Sequence, residues 1–141
     1  MNTIFHLAFP VHDFQLAKEF YHKKLGFNLG RESQHALILN CGSNQIVAHK
    51  VEAPLQPQQG IYPRHFGLIF LEKDEFERFI DLINRQKIPF EVPPKIRFPG
   101  KTIEHQSFFL KDPSNNLLEF KHYTNPSAIF GETDFKQVGE T

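Results

Sequence analysis

The chain has 141 residues, 40% of them hydrophobic and 16 of them Phe, which is enough to build one domain around its own core. Its 16 basic side chains balance 16 acidic ones, so no basic surface favours nucleic acid or a membrane, and a small-molecule partner is expected. The single cysteine, Cys41, excludes an internal disulfide, and no segment has the pattern of a signal peptide or a membrane span. We therefore expect a cytoplasmic protein with Cys41 buried as a small apolar residue.

The first part of the chain has the pattern strand, helix, strand, strand. Apolar residues alternate from Phe5 to Phe9, which predicts a strand that ends at Pro10. Asp13 is expected to cap a helix whose apolar residues recur every three or four positions until Gly26. Residues 36–40 and 45–51 then predict two strands joined by the turn 41–44.

A linker rich in Pro and Gln, residues 52–63, separates this part from a second one with the same pattern. A strand is predicted over 64–71, then a helix capped by Asp74, then an extended piece from Lys87. Residues 92–101 contain three cations and three Pro and predict a long loop over a binding site. We expect one domain over residues 1–125, with units at about 1–53 and 62–123, and a surface tail over 126–141.

The two parts are an internal repeat. The segment from Ser43 to Lys50 matches that from Ser114 to Lys121, and each closes a unit that opens with a His-bearing strand. Two such units packed about a pseudo-twofold axis bring equivalent positions together, which predicts that His6 and His65 converge with Glu119. An unpaired carboxylate in the middle of an apolar strand is costly, and a metal ion removes that cost. Two histidines and one carboxylate form a facial metal site that leaves coordination positions open.

Aligning the repeats on Ser43 and Ser114 places Ala48 opposite Glu119, so a fourth protein ligand is absent. His49 lies next to Ala48 and would enter the site only if the register slipped by one residue, because neighbouring residues in a strand face opposite ways. His49 is therefore a candidate at the substrate side, with a fourth metal ligand and a purely structural residue as the open alternatives.

The sequence resembles the glyoxalase/bleomycin-resistance/extradiol-dioxygenase group, the vicinal oxygen chelate superfamily, over about residues 4 to 123. The resemblance lies in residues 6–13, 20–27, 64–67 and 108–119, the last reading Phe-Phe-Leu-Lys-Asp-Pro-Ser-Asn-Asn-Leu-Leu-Glu. It implies an α+β fold of two βαβββ modules, related by a pseudo-twofold axis, that form a cupped mixed sheet with flanking helices. It also implies a homodimer and a divalent metal ion at His6, His65 and Glu119, with Fe(II) favoured and Mn, Ni, Co or Zn as alternatives.

Three departures from subfamily patterns bear on the reaction. Glyoxalase I-like members carry a further Glu or Gln where this chain has Ala48, and extradiol-like members carry Tyr where it has Phe109. Fosfomycin-thiol-transferase-like members carry cationic anchors near the end of the chain, and none follows Glu119 at that spacing. The resemblance still places Phe109 on the cup face beside the substrate.

The remaining candidates follow from strand parity and chemistry. His105 shares the parity of Phe109 and is an acid-base candidate, because the ordinary pKa of a histidine lies near neutral pH. Arg97 is the candidate for binding an anionic substrate group through two hydrogen bonds. We expect a metal-dependent enzyme, of dioxygenase type, in which Glu119 is both ligand and catalytic residue and the substrate chelates through vicinal oxygens. The alternatives are a glyoxalase-like lyase or isomerase and a non-catalytic, bleomycin-resistance-like binding protein.

Overall fold

The computed structural model describes residues 1–139 and has the predicted α+β fold. Two four-stranded sheets share one strand order. The first contains β1 (His6–Val11), β2 (Asn28–Glu32), β3 (Ala36–Cys41) and β4 (Asn44–Lys50) in the order β1-β4-β3-β2. The second contains β5 (Phe66–Ile69), β6 (Val92–Arg97), β7 (His105–Lys111) and β8 (Leu117–Tyr123) in the order β5-β8-β7-β6. In each sheet the first and last strands are parallel and the other pairs antiparallel, so the two βαβββ modules of the repeat are confirmed.

The helices follow the first strand of each module. Helix α1 (Phe14–Ala17) is capped by Asp13, whose carboxylate accepts a hydrogen bond from the Leu16 amide at 3.0 Å, and it continues as a π-helix over Lys18–Lys24. Helix α2 (Lys73–Arg85) begins after Glu72, two residues earlier than a cap at Asp74 would allow. A short helix α3 (Ser127–Phe130) follows β8.

One core joins the modules. It lies between the helices and the helix-facing side of both sheets, where Phe9 of β1 packs against Phe66 of β5 with ring centroids 5.1 Å apart. Two hydrogen bonds cross the same boundary. The Tyr21 hydroxyl donates to Asp112 Oδ2 at 2.6 Å, and the Asn116 amide donates to the Pro10 carbonyl at 2.8 Å. The opposite side of each sheet, here called its cup face, is left for other contacts.

The strand register corrects the alignment of the repeats by one residue. Leu7 pairs with Ile46 in the first module, and the equivalent Phe66 pairs with Leu118 in the second. Glu119 is therefore equivalent to Val47, and the assignment to Ala48 was wrong. The turn between β7 and β8, residues 112–116, is one residue longer than the equivalent turn 41–44. This extra residue shifts the alignment of β8 with β4 by one position.

Two regions differ from the loop and tail expected from sequence. Residues 92–97 form strand β6, so Arg97 lies in a sheet and not in a long loop; the connection that follows is residues 98–104. After α3 the chain runs back along the second cup face to Gly139 and forms one wall of a cavity there. The expected tail of residues 126–141 is thus packed on the domain up to residue 139, and residues 140–141 lie outside the described part.

Candidate active site on the second cup face

A cavity of about 410 Å³ lies between the second cup face and the C-terminal segment, residues 127–139. Residues alternate along a strand, so one face of β8 presents Glu119, Lys121 and Tyr123 to this cavity. Alternate residues of β7 and β6 lie on the same face of the sheet and complete the floor of the cavity. They are His105, Phe109 and Arg97, with His65 immediately before β5. Ser107 shares the parity of His105 and Phe109 and is fully buried.

His65 and Glu119 are neighbours on this floor. Nε2 of His65 lies 3.5 Å from Oε1 of Glu119, and both side chains are largely buried. Nδ1 of His65 is 2.8 Å from the Ile61 carbonyl, which can only accept, so Nδ1 carries the proton and Nε2 faces the carboxylate. This is the way that proteins orient a histidine whose second nitrogen binds a metal ion.

Electrostatics couple these two groups. The hydrogen bond that protonated His65 donates to Glu119 raises the pKa of His65 above its ordinary value, against the effect of burial. Burial opposes ionisation of Glu119, but the hydrogen bond with His65 and the charge of Lys121 outweigh it, so the pKa of Glu119 is lowered. Without a metal ion, the site is therefore a carboxylate held by a protonatable histidine and a lysine.

A close approach between strands permits this geometry. Gly67 pairs with Glu119, and a Cβ atom added at Gly67 would lie 1.6 Å from the carbonyl oxygen of Glu119. The equivalent residue in the first module is Ala8, which carries a Cβ opposite Val47. Only glycine therefore lets β5 lie against β8 at this distance.

The sequence candidates beyond the metal ligands lie on the same floor. His105 is buried, and burial lowers its pKa, so it is neutral at pH 7. Arg97 is 5% exposed, donates from Nε to Ser107 Oγ at 2.9 Å, and places its guanidinium 6.0 Å from the ring centre of Phe109. Phe109 is fully buried and meets the His65 ring edge-on at 5.1 Å. Parity therefore placed His105 and Phe109 correctly.

His6 and His49 lie elsewhere. Both are on the cup face of the first module, where they are exposed and do not line the cavity. Nδ1 of His6 is 2.8 Å from Oε1 of Gln45, so its proton is held by an oxygen as in His65 and Nε2 is left for another contact. His49 pairs with Pro10 at the far end of the same strand pair. Within residues 1–139 no cluster of three or more His, Cys, Asp or Glu side chains is arranged to hold a metal ion.

Two groups of site residues were not anticipated from sequence. Lys121 and Tyr123 share the parity of Glu119, so the signal was present in β8. The wall formed by the C-terminal segment had no such signal, because Ile129, Phe135 and Val138 show no strand or helix period.

The fold can be compared with those of known proteins. The family model described as Glyoxalase/Bleomycin resistance protein/Dioxygenase superfamily matches residues 3–120. The chain belongs to this superfamily.

Solved structures agree. A glyoxalase/bleomycin resistance protein/dioxygenase from Alicyclobacillus acidocaldarius is 40% identical, covers 92% of this chain and 97% of its own, and superposes with a TM-score of 0.86. A virulence protein from Salmonella typhimurium is 27% identical over 88% of this chain and 98% of its own, with a TM-score of 0.63. A lactoylglutathione lyase from Agrobacterium tumefaciens, 19% identical over 94% and 98%, shares the fold with a TM-score of 0.67. No curated protein matches the chain significantly. No helix within the described residues has the length and apolar character to span a bilayer.

Proposed function

We propose that the protein is a metal-dependent enzyme, of dioxygenase type, acting on a small oxygenated substrate in the cavity of the second cup face. The observation that carries the proposal is the pairing of His65 and Glu119, 3.5 Å apart at the floor of an aromatic cavity. An imidazole nitrogen and a carboxylate oxygen are ligands that Fe(II), Mn, Ni, Co and Zn accept, and Fe(II) is the favoured ion. We further propose that the protein acts in the cytoplasm.

The third ligand is proposed to be His6 of a second copy in a homodimer. His6 matches His65 in the repeat, is exposed, and holds its Nδ1 proton on Gln45 as His65 does on Ile61. These features suit a histidine whose Nε2 binds a metal ion held by a second copy of the chain. The C-terminal segment borders the cavity, so entry of His6 from a second copy is expected to displace part of that segment.

With the ion bound, this ligand set would supply a Lewis acid with open positions for vicinal oxygens or for oxygen itself. The chain's own residues have separate roles. Neutral His105 would accept a proton from the substrate, Arg97 would bind an anionic substrate group, and Phe109 would shape the cavity without offering a hydroxyl. His49 of the second copy, on the cup face that carries His6, would contact the substrate from the opposite side.

The test is complementation between two variants. His6→Ala and Glu119→Ala chains should each purify without stoichiometric divalent metal. Mixed and re-annealed, they form heterodimers in which one site has His6 from the Glu119→Ala chain and His65 with Glu119 from the His6→Ala chain. We expect metal to return to about half of the sites in each heterodimer, measured by elemental analysis.

Two results would decide against the proposal. Full metal retention by Glu119→Ala would contradict the assignment of Glu119 as a ligand. A mixed dimer that never regains metal would contradict a site shared between two copies. His49→Ala is the matched control and should keep its metal. In iron-loaded wild type, nitric oxide should bind at an open position, and a catechol should perturb its signal.

A second candidate function is a non-catalytic binding protein. The specific observation in its favour is that Lys121 and His65 already neutralise Glu119 without any ion. Such a protein binds ligand equally well after the metal is stripped, whereas the enzyme does not. A glyoxalase-like lyase or isomerase is separated from a dioxygenase by oxygen uptake, which only the latter requires.

A further inference from the structure

The C-terminal segment, residues 127–139, covers the cavity without filling it. A space of about 410 Å³ remains between the segment and the floor, a volume within the range of pockets that hold small molecules. A segment that occupied the site in place of a ligand would leave no such space. Ile129 and Phe135 of the segment line this space, as His105 of the floor does. The segment is therefore placed as a cover over a ligand.

The segment is held to the domain near both of its ends. Just before it, the Thr124 hydroxyl donates to Glu104 Oε2 at 2.7 Å, in the connection between β6 and β7. At the other end, Gly139 lies against the Tyr62 side chain. The Tyr62 ring is itself 6.2 Å from the ring of His65, so this second contact closes the cavity wall beside a candidate site residue.

Between these two contacts the segment is folded on itself. The amides of Gly131 and Glu132 both donate to the Ser127 carbonyl, at 2.9 and 2.8 Å. The side chains of Phe130 and Val138 point away from the domain and are 93% and 87% exposed. Lifting the segment from the floor would keep these hydrogen bonds and would expose no further apolar surface of these two side chains. Opening at this place therefore requires less free energy than opening of the core strands.

We propose that residues 127–139 form a lid, which opens to admit a small molecule and closes over it. Residues 125–126 are the hinge, and the contact of Gly139 with Tyr62 is the latch. Closure excludes water from the floor and brings Ile129 and Phe135 against the bound molecule. The inference concerns access to the cavity and requires no metal ion, so it goes beyond the proposed function and can fail separately from it.

Two glycines of the lid provide a matched pair of full-length variants. Gly139 has a φ of +71°, which a β-branched residue rarely adopts, and a Cβ atom there would overlap the Tyr62 hydroxyl. Gly131 has a φ of −87°, and a Cβ atom there would lie 3.7 Å from the Ser127 carbonyl oxygen, an ordinary contact. Gly139→Val should therefore release the latch, whereas Gly131→Val should leave the lid closed.

The opening is measured by the reaction of histidines with diethyl pyrocarbonate, which modifies unprotonated imidazole nitrogens. Mass spectrometry of peptides gives the rate at each histidine in metal-free protein at pH 7. His105, on the floor under the lid, is 8% exposed. His35 is the internal reference, because it is exposed in the turn between β2 and β3 of the other module.

In the wild type we expect His105 to react about tenfold or more slowly than His35, because it reacts only while the lid is open. Gly139→Val should raise the rate at His105 about fivefold to thirtyfold, which is the effect of a strained left-handed residue on the closed state, and should leave His35 unchanged. Gly131→Val should keep both rates. A wild type in which His105 reacts as fast as His35 overturns the lid, as do equal His105 rates in the two variants.

Should Gly139→Val fail to fold, Tyr62→Ala removes the other half of the latch. Release of the lid accelerates both His65 and His105. Acceleration of His65 alone, or of neither histidine, would show at most a local gap beside the missing ring and would overturn the inference. Metal content of unstripped protein is measured in parallel, and that result decides the proposed function only.

Discussion

His105 and His65 both line the cavity floor, but their pKa values are shifted in opposite directions. Burial lowers the pKa of His105, whereas the hydrogen bond that Glu119 accepts from His65 raises the pKa of His65. The two histidines on this surface therefore differ in pKa, and the lowered pKa of His105 keeps it neutral and able to accept a proton.

The first prediction concerns His105 in metal-free protein. Because its pKa in the fold is below the unfolded value of 6.5, the unfolded chain binds the proton more readily there. Stability from this residue is complete above about pH 6.5 and is lost as the pH falls towards the folded pKa. His105→Asn should therefore lose less stability than the wild type between pH 7 and pH 5 in urea unfolding. Imidazole NMR signals of His105 titrating above 6.5 would contradict this.

The second prediction concerns Cys41. Burial raises the pKa of its thiol to about 11, so almost no thiolate exists at pH 8. Native protein should react with a disulfide reagent far more slowly than urea-unfolded protein, measured by the thiol released. Equal rates in both states would show an accessible thiol. This burial confirms the interpretation of Cys41 as a small apolar residue.

At the residue scale, several residues that line the candidate site could be predicted from the sequence. A carboxylate in an apolar strand indicated Glu119, and strand parity indicated His105 and Phe109. The same parity rule places Lys121 on this face, although a lysine considered by itself would be expected in solvent. Convergence of His6 with His65 stays a prediction, since it depends on a second copy.

Among the elements, β2 and β6 were the hardest to predict. All five residues of β2 are exposed, so no apolar alternation marks the strand. Strand β6 contains Pro93 and Pro94, and its register shifts between Val92 and Lys95, which together gave the pattern of a loop. Only the family resemblance predicted that β2 and β6 exist. The one-residue difference between the turns 41–44 and 112–116 was likewise invisible to a motif match.

The third prediction concerns the close contact between β5 and β8. Gly67→Ala would place a methyl group within bonding range of the Glu119 carbonyl, so the strands must separate or the chain must unfold. We expect a loss of several kcal/mol, larger than ordinary packing changes. The matched control is Ala8→Gly at the equivalent position, which should cost only about 0.5–1 kcal/mol. Thermal unfolding of both variants measures the difference, and similar losses would argue against the close approach.

Across the whole molecule, the modules are joined by polar bonds as well as by core packing. Asp112 is buried, and burial raises its pKa against four hydrogen bonds, from the Tyr21 hydroxyl, the Asn116 side chain and the amides of Ser114 and Asn116. The Tyr21 bond links the π-helix of one module to the turn of the other.

The fourth prediction is that Tyr21→Phe lowers the free energy of unfolding by about 1–3 kcal/mol, because Asp112 keeps its burial and loses one donor. Urea unfolding should shift its midpoint with an unchanged slope, since the same surface is still exposed. The double variant Tyr21→Phe/Asp112→Asn tests the coupling. Additive losses would show that the two side chains do not act as a pair.

The C-terminal segment reaches Gly139 beside the Tyr62 ring, two residues before the last residue of the sequence, and this has a practical consequence for purification. A polyhistidine tag fused to that end would tether imidazoles next to His65 and Glu119 at a high effective concentration. Such a tag could supply the ligand that we assign to His6 of a second copy, and His6→Ala would then keep its metal for an artificial reason. Metal stoichiometry in the complementation experiment therefore needs protein whose tag has been removed.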